Sequence, residues 1–394
     1  MDDLLKIQDA RSGATPSRAR PNTLEVDLTA VSHNARQVRK LIGPGKRLFA
    51  ALKGNAYGFG LVEIARELVR GSVDALSVVH LADAIALREA GISAPILLYG
   101  GHLGDPDAVA QIVEHDLITT LVDEDSVELH GRYSKGPIHA YLKIDVGLER
   151  LGVHPDRALS LIQGLERFPN ISLEGVYTHM KAGRLYPDLA KSPSGSIAPY
   201  LSWQLQRFDH VLSQLRDAGI HLSTTLAASS PAILLSEGLK YEAVDPGRLL
   251  YGLLPPGPSM VTLDLRPAFG SFRSRVLQVK DVLRQGFGDE AGFDLDKVTR
   301  IGVVPIGFAD GLTSATCGQV LVRGQRVDII GTFLEHARID LTHVAMAKAD
   351  EVVIIGRQAG AEITSAEVIN CQQLQTPAGL AAIVRESVER VYLR

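Results

Sequence analysis

Cysteine is scarce in this chain, which has only Cys317 and Cys371 among its 394 residues. Two cysteines so far apart do not build a disulfide framework, and we therefore expect a reducing compartment. No apolar run is long enough to span a bilayer, and residues 1–22 are polar without the apolar core of a signal peptide. These absences predict a cytoplasmic protein whose residues 1–20 form a flexible tail.

An excess of positive charge is also missing, because 45 acidic residues outnumber 41 lysines and arginines and the formal net charge is −4. Proteins that bind nucleic acids or membrane surfaces concentrate lysine and arginine in patches, and no such patch stands out here. We therefore expect neither a nucleic-acid partner nor a membrane partner.

Between residues 48 and 247 the sequence alternates short apolar runs with longer amphipathic stretches. Eight runs have the length of strands, and they are Leu48–Lys53, Ala75–His80, Pro95–Gly100, Ile118–Val122, Ile138–Asp145, Leu173–His179, Leu222–Ser229 and Tyr241–Asp245. Helix-like stretches lie between them at Leu61–Val69, Leu81–Ala90 and Trp203–Ala218. This alternation predicts an α/β fold, a (β/α)8 or TIM barrel. A doubly wound sheet is the alternative, although no Gly-rich dinucleotide turn follows the first run.

After residue 258 the pattern changes to β-rich segments joined by Gly-containing turns, at 274–283, 297–308, 318–331 and 349–356. Such a pattern with little helix is typical of a separate, mostly β domain. We predict a barrel domain over residues 21–258 and a C-terminal β-rich domain over residues 259–394.

Polar side chains stand at the ends of the predicted barrel strands, where the active site of a TIM barrel lies. Lys53 is the most informative of them, because its ammonium after an apolar run must be paired, neutralised or used covalently. A lysine whose head group reaches solvent gives the same pattern and is the alternative.

The segment Lys53–Gly60, KGNAYGFG, resembles the cofactor-lysine motif of alanine racemases. Further segments are similar to that family in the same order, and they are Glu25–Leu28, Leu142–Gly152, Gly175–His179, Gly247–Gly252 and Pro305–Gly311. The resemblance covers the chain from about residue 24 to residue 330. It implies a barrel and a second β domain, pyridoxal 5'-phosphate (PLP) as cofactor, an amino-acid substrate, and a homodimer with shared active sites.

The resemblance also implies roles for single residues. Lys53 carries PLP and moves the Cα proton on one face of the substrate. Three positions bind the phosphate, and they are Tyr57, Ser230 and Gly247. Arg150 contacts the phenolic oxygen of PLP and the substrate carboxylate, and His179 lies near the pyridine ring. Tyr57 as a packed tyrosine and His179 as a core histidine are the alternatives.

Lys143 occupies a position that is carbamylated in some relatives, where it braces the arginine. An ordinary contact between Lys143 and Asp145 is the alternative.

Two departures from the family lie in the barrel. Asp245 stands where relatives place an arginine against the pyridine nitrogen, and a carboxylate there would stabilise the protonated ring and a full electron sink. In the alternative interpretation Asp245 turns away and caps the next turn. Arg248 replaces an apolar residue and either pairs with the phosphate or faces outward.

Other departures lie in the second domain, where Phe287 replaces the family's catalytic tyrosine and cannot carry a proton. Phe308 and Glu386 also stand in place of tyrosines. Glu335 and His336 replace a Met-Asp pair, and they are the best candidates for the missing base because histidine titrates near neutral pH. A surface Glu-His pair is the alternative. His336, Asp340 and His343 fit no strong ligand spacing, so we predict no metal.

We predict a PLP-dependent racemase or epimerase that acts at Cα of an amino acid other than alanine, with Lys53 and Glu335 or His336 as bases. A PLP-dependent lyase on the same scaffold, favoured by Asp245 and Phe287, is one alternative. A PLP-binding protein with little catalysis is another.

Overall fold

The computed structural model describes residues 20–100, 104–181, 199–235, 240–254, 259–283, 297–312, 318–345, 347–365, 367–368 and 381–394. The chain divides into two compact units. The barrel unit comprises residues 24–271 with 365–386 and 390–394, and the β unit comprises residues 1–23, 272–364 and 387–389. The domain bounds 21–258 and 259–394 stay a prediction. Most of the predicted flexible tail, residues 1–19, lies outside the described residues.

Eight parallel strands close into a barrel in the order β2-β3-β4-β5-β6-β7-β8-β9. These strands are β2 (Arg47–Ala51), β3 (Ala75–Val78), β4 (Ile96–Leu98), β5 (Ile118–Leu121), β6 (Ile138–Lys143), β7 (Ile171–Tyr177), β8 (Thr224–Ala228) and β9 (Ala243–Val244). Each overlaps one of the eight predicted runs, so the barrel prediction is confirmed. The doubly wound alternative was wrong, because β9 pairs with β2 and closes the sheet.

Helices alternate with the barrel strands. They are α1 (Leu28–Ile42), α2 (Lys53–Tyr57), α3 (Leu61–Val69), α4 (Leu81–Glu89), α5 (Pro106–Glu114), α6 (Glu124–Tyr133), α7 (Pro155–Gln163), α8 (Pro199–Asp217) and α9 (Ser230–Leu234). The apolar spacing that predicted α3 buries Leu61, Ile64 and Leu68 on one face of the helix. Strand β1 (Thr23–Asp27) precedes α1, and the Asp27 carboxylate caps that helix by accepting from the Ala30 N–H.

The barrel interior is filled rather than hollow. A buried cluster takes one side chain from each barrel strand, and its members are Phe49, Ala75, Leu97, Ile118, Tyr141, Tyr177, Leu226 and Ala243. A packed interior leaves ligand space only at the end of the barrel, where the βα loops begin.

The β unit contains an antiparallel sheet in the order β11-β12-β15-β14-β13-β16-β10, with β17 paired to β16. Its strands are β10 (Phe269–Arg275), β11 (Gln278–Asp281), β12 (Arg300–Val304), β13 (Gln319–Val322), β14 (Gln325–Thr332), β15 (Ala337–Asp340), β16 (Glu351–Gln358) and β17 (Ala361–Ile363). The last strand is β18 (Glu389–Leu393). The prediction of a mostly β second domain is therefore confirmed. Within the described ranges, no helix combines the length and apolarity needed to cross a membrane.

Candidate active site

The chain makes a left-handed turn directly after β2. The φ angles of Gly54, Asn55 and Ala56 are 63°, 54° and 54°, and that of Tyr57 is 58°. Left-handed backbone is unfavourable for residues with a Cβ, so three of these four residues are held in a costly conformation. The turn places both Lys53 and Tyr57 on the wall of one cavity.

That cavity has a volume of about 560 Å³, which is within the usual range of small-ligand sites. It lies at the ends of the barrel strands, and the described residues that line it all belong to the barrel unit. The structure brings all the predicted cofactor residues to it, namely Lys53, Tyr57, Arg150, His179, Ser230, Asp245, Gly247 and Arg248.

Hydrogen-bond donors converge at the end of the cavity formed after the last two barrel strands. The Ser230 Oγ accepts from the Gly247 N–H at 3.1 Å, which leaves its own O–H free to donate. The Tyr57 hydroxyl lies so close to Gly247 that a Cβ there would be 2.2 Å from it. Burial raises the pKa of Tyr57 to about 12, so this hydroxyl stays a donor. Donors after the seventh and eighth strands are the usual phosphate site of this fold.

Arg248 follows Gly247 and begins the 3-10 turn Arg248–Tyr251. Its charge helps to lower the pKa of Lys53, which shows that the guanidinium lies near the cavity amine. In the parts of the chain that the structure describes, no carboxylate forms an ion pair with it. Glu386, which stands in place of a family tyrosine, accepts a hydrogen bond from the Asn55 side chain at 3.3 Å.

Burial and positive neighbours weaken the basicity of three cavity side chains. Burial is the main cause of the lowered pKa of Lys53, with Arg150 and Arg248 adding to it and Asp245 opposing it. Burial is also the main cause that lowers the pKa of His179 to about 3 and that of Lys143 to about 8, and the charges of Arg150 and Lys53 add to both shifts. His179 is therefore neutral near pH 7, and Lys53 has a larger share of the neutral amine that can attack an aldehyde.

The Asp145 carboxylate organises the loop that carries Arg150. It accepts hydrogen bonds from the backbone N–H groups of residues 147–150, at distances from 2.6 to 3.3 Å. No ion pair joins Asp145 and Lys143 in the described part of the chain, although the Asp145 charge acts to raise the pKa of Lys143. The Lys143 ammonium lies 5.2 Å from the centre of the Tyr177 ring instead.

Asp245 is 7% exposed and lines the cavity. Its Oδ2 accepts a hydrogen bond from the Tyr99 hydroxyl at 2.9 Å, while its Oδ1 has no hydrogen-bond partner among the described residues. Burial raises the pKa of Asp245 to about 6, against the opposing effects of Tyr99, Lys53 and Lys143. The alternative in which Asp245 turns away to cap the next turn was wrong.

Sequence analysis missed Tyr99, which lies in the apolar run Pro95–Gly100 and directly follows β4. A side chain with a polar tip at the end of a barrel strand was the available signal, since such residues face the mouth of the barrel.

Glu335 and His336 belong to the β unit and are not among the residues lining the cavity. Both are exposed, and Glu335 forms an ion pair with Arg20 at 3.1 Å. Phe308 begins a 3-10 turn in the same unit. Phe287 lies outside the described residues. Among the residues that are described, no three potential metal ligands lie together.

The cavity fits PLP, the cofactor that the sequence resemblance implies. Lys53 offers an amine for the aldehyde, and Tyr57 with Ser230 and the Gly247 backbone offers donors for a phosphate. The unpartnered oxygen of Asp245 offers an acceptor for an N–H group on the ring.

Comparison with known proteins points in the same direction. A family model described as "Alanine racemase, N-terminal domain" matches residues 26–255, and one described as "Alanine racemase, C-terminal domain" matches residues 270–392. An alanine racemase from Desulforamulus reducens is 33% identical over 361 residues, which cover 88% of this chain and 92% of that protein. One from Methanococcus maripaludis is 30% identical over 387 residues, which cover 95% and 99%. The crystal structure of alanine racemase from Bacillus anthracis with bound L-Ala-P is 28% identical, covers 95% of both chains and has a TM-score of 0.82.

Proposed function

This chain belongs to the alanine racemase family of PLP-dependent isomerases, and from that premise we propose that it inverts Cα of an amino acid other than alanine. The observation that supports a reaction at this site is the convergence of the Lys53 amine, the Asp245 carboxylate and the phosphate donors on one cavity. The similar proteins are named alanine racemases, which makes alanine the first substrate to test.

PLP supplies the electron sink that makes a Cα proton acidic when an amino acid is bound to it. Lys53 accepts or returns that proton at its Nζ, because its lowered pKa makes the neutral amine available. The Arg150 guanidinium, on the loop that Asp145 fixes, orients the substrate carboxylate. Tyr57, Ser230, the Gly247 backbone and Arg248 would hold the phosphate, and His179, which burial keeps neutral, would lie near the ring.

Inversion needs a second group that delivers a proton to the opposite face of Cα. His336 is our proposal for that group, with Glu335 beside it, supplied by the partner subunit of a homodimer. The support is chemical, since an imidazole side chain can accept and donate a proton and the phenylalanine at position 287 cannot.

The proposed substrate differs from alanine in its side chain. Glu335 with His336 adds polar groups where relatives have a Met-Asp pair. A carboxylate at position 335 favours a substrate side chain that ends in an amine or a guanidine, because opposite charges attract.

The test is incubation of the PLP-loaded protein with a panel of amino acids, alanine included, in heavy water. We expect deuterium at Cα together with inversion for at least one amino acid, and a better rate for a polar amino acid than for alanine. Exchange with retention would mean that Lys53 acts as the only base. Lys53→Ala, the control, should abolish both signals.

A lyase is the second candidate, because the unpartnered Asp245 oxygen favours a protonated and strongly electron-withdrawing ring. Release of carbon dioxide or of an aldehyde in the same incubation would support the lyase and contradict a pure racemase. Bound PLP without exchange or release would instead indicate a PLP-binding protein with little catalysis.

A further inference from the structure

The two oxygens of Asp245 are in different situations. Oδ2 receives the Tyr99 hydrogen bond at 2.9 Å, while Oδ1 is buried and has no partner in the described part of the chain. A buried acceptor without a donor costs free energy, so native proteins rarely retain one without a ligand or a solvent molecule to satisfy it. Asp245 lines a cavity that fits PLP, so we infer that the cofactor supplies the missing donor.

The chemistry of PLP leaves one atom that suits this oxygen. Its phosphate and phenolic oxygens are anionic acceptors that would repel a carboxylate, and its aldehyde is taken by Lys53. The ring nitrogen, when protonated, offers a cationic N–H that satisfies the free oxygen and forms a charge-assisted hydrogen bond.

Tyr99 influences on which side of such a pair the proton rests. A proton shared between a carboxylate and a pyridine stays on the more basic partner. The hydrogen bond from Tyr99 stabilises the ionised carboxylate and makes it less basic, and the charges of Lys53 and Lys143 act in the same direction. Burial of Asp245 acts in the opposite direction.

Tyr99 is itself held by the barrel core. Its ring packs on that of Tyr177 with the centroids 5.9 Å apart, and the Tyr177 hydroxyl bonds to the Thr120 hydroxyl at 2.9 Å. The hydroxyl that reaches Asp245 is therefore placed by packing within the barrel and does not depend on a mobile loop.

We propose that Tyr99 and Asp245 act as one unit that keeps a proton on the ring nitrogen of PLP, with Tyr99 as the positioning residue. The inference rests on the proposed function only in that PLP must be bound at Lys53. A proton on the ring nitrogen makes PLP a stronger electron sink than an unprotonated ring would be.

The test uses the enzyme loaded with PLP that carries ¹⁵N in the ring, and the readout is the ¹⁵N chemical shift at neutral pH. We expect the shift of a protonated pyridine in the wild type and that of an unprotonated pyridine in Asp245→Asn. Tyr99→Phe should give an intermediate shift, although it keeps the ring contact with Tyr177. Tyr141→Phe, which removes another buried barrel hydroxyl, one that accepts a hydrogen bond from Arg47, should give the wild-type shift.

A binding measurement covers the case in which the Asp245 variant fails to fold. Wild-type apoprotein should bind the analogue with a CH group in place of the ring nitrogen about tenfold to a hundredfold more weakly than PLP, which is the usual range for a charge-assisted hydrogen bond. Equal affinities would overturn the proposal.

An unprotonated ring in the wild type, or a wild-type shift in Tyr99→Phe, would also overturn it. Different results would contradict the proposed function and the proposed role of Tyr99 and Asp245. Labelled PLP that stays free in solution contradicts the site at Lys53, whereas bound PLP with an unprotonated ring in an active racemase contradicts this inference alone.

Discussion

Arg248 is a cavity cation whose guanidinium has no ion-pair partner in the described ranges, and the phosphate of PLP is the anion that would pair with it. We expect Arg248→Met to weaken the binding of PLP by about tenfold or more and to leave the binding of pyridoxal, which lacks the phosphate, nearly unchanged. Quenching of Trp203, the only tryptophan in the chain, measures both affinities. An equal loss for the two ligands would contradict a phosphate contact.

His179 makes the stability of the cofactor-free protein depend on pH. Its pKa is lowered from 6.5 to about 3, chiefly by burial, so the folded protein binds this proton less readily than the unfolded chain. The stabilising effect of the neutral imidazole is complete above about pH 6.5 and is lost as the pH falls towards 3, with a limiting slope of about 1.4 kcal/mol per pH unit.

We expect His179→Gln, which cannot be protonated, to lack this dependence. The measurement is urea unfolding of the wild type and the variant from pH 7 to pH 4. The difference between their free energies of unfolding should change in favour of the variant as the pH falls. A constant difference over this range would show that His179 titrates normally.

At the scale of single residues, the sequence predicted the site residues that belong to contiguous motifs and missed Tyr99, which belongs to none. Lys53 and Tyr57 stand in one recognisable segment of eight residues, Lys53–Gly60. The Tyr99 contact with Asp245 joins positions 146 residues apart, and Tyr99 has no local motif of its own. A sequence pattern does not reveal which strand ends lie close together. The contact between Tyr99 and Asp245 could therefore be identified only from the structure of the closed barrel.

At the scale of elements, the left-handed turn α2 is stabilised from both sides. The Asn55 Oδ1 accepts from the Leu61 N–H at 2.7 Å, which caps α3 where Gly60 has no side chain to do so. The Arg390 guanidinium donates to the Gly58 carbonyl at 3.1 and 3.2 Å. These contacts offset the cost of the left-handed backbone that presents Lys53 and Tyr57 together.

We expect Asn55→Ala to lower the free energy of unfolding by about 1–2 kcal/mol, because it removes a helix cap and places a residue with poor left-handed propensity in the turn. Denaturant unfolding measures the loss. Asn55→Gly is the control, since it tolerates the left-handed backbone but lacks the capping oxygen, and it should lose less. An Ala variant as stable as the wild type would show that the cap contributes nothing.

The lengths of the barrel strands show the limit of pattern reasoning at this scale. The apolar runs identified all eight strands, because buried parallel strands are continuously hydrophobic. The run Tyr241–Asp245 shortens to Ala243–Val244 in the structure, and the run Leu48–Lys53 ends at Ala51. In both cases the chain leaves the ladder where a side chain, Asp245 or Lys53, turns to the cavity.

At the scale of the whole molecule, the surface that completes the cavity has to carry the second base. The residues that line it in the described structure supply one base, Lys53, and Glu335 with His336 lies in the other unit. Two exposed apolar residues, Phe333 and Leu334, directly precede that pair, with 48% and 66% of their surface accessible. An exposed apolar pair beside ionisable groups suits a surface that a second copy of the chain covers.

If two chains share each site, defects in Lys53 and His336 should complement each other. Homodimers of Lys53→Ala and of His336→Ala should both fail to racemise, because each site then lacks one base. A purified heterodimer of the two variants has one site with both defects and one site with neither. We therefore expect it to recover about half of the wild-type activity, since closed twofold symmetry gives two equal sites.

The control is the heterodimer of Lys53→Ala with the wild-type chain, which should also retain about half of the activity. Co-expression with two different tags allows both heterodimers to be isolated, and inversion at Cα is followed by chiral chromatography. If the His336→Ala homodimer is inactive, the control is active and the heterodimer of the two variants is inactive, Lys53 and His336 act within a single chain. An active His336→Ala homodimer would show that His336 takes no part. Recovery to the level of the control, together with an inactive His336→Ala homodimer, assigns the two bases to different chains, because no single chain in that heterodimer carries both.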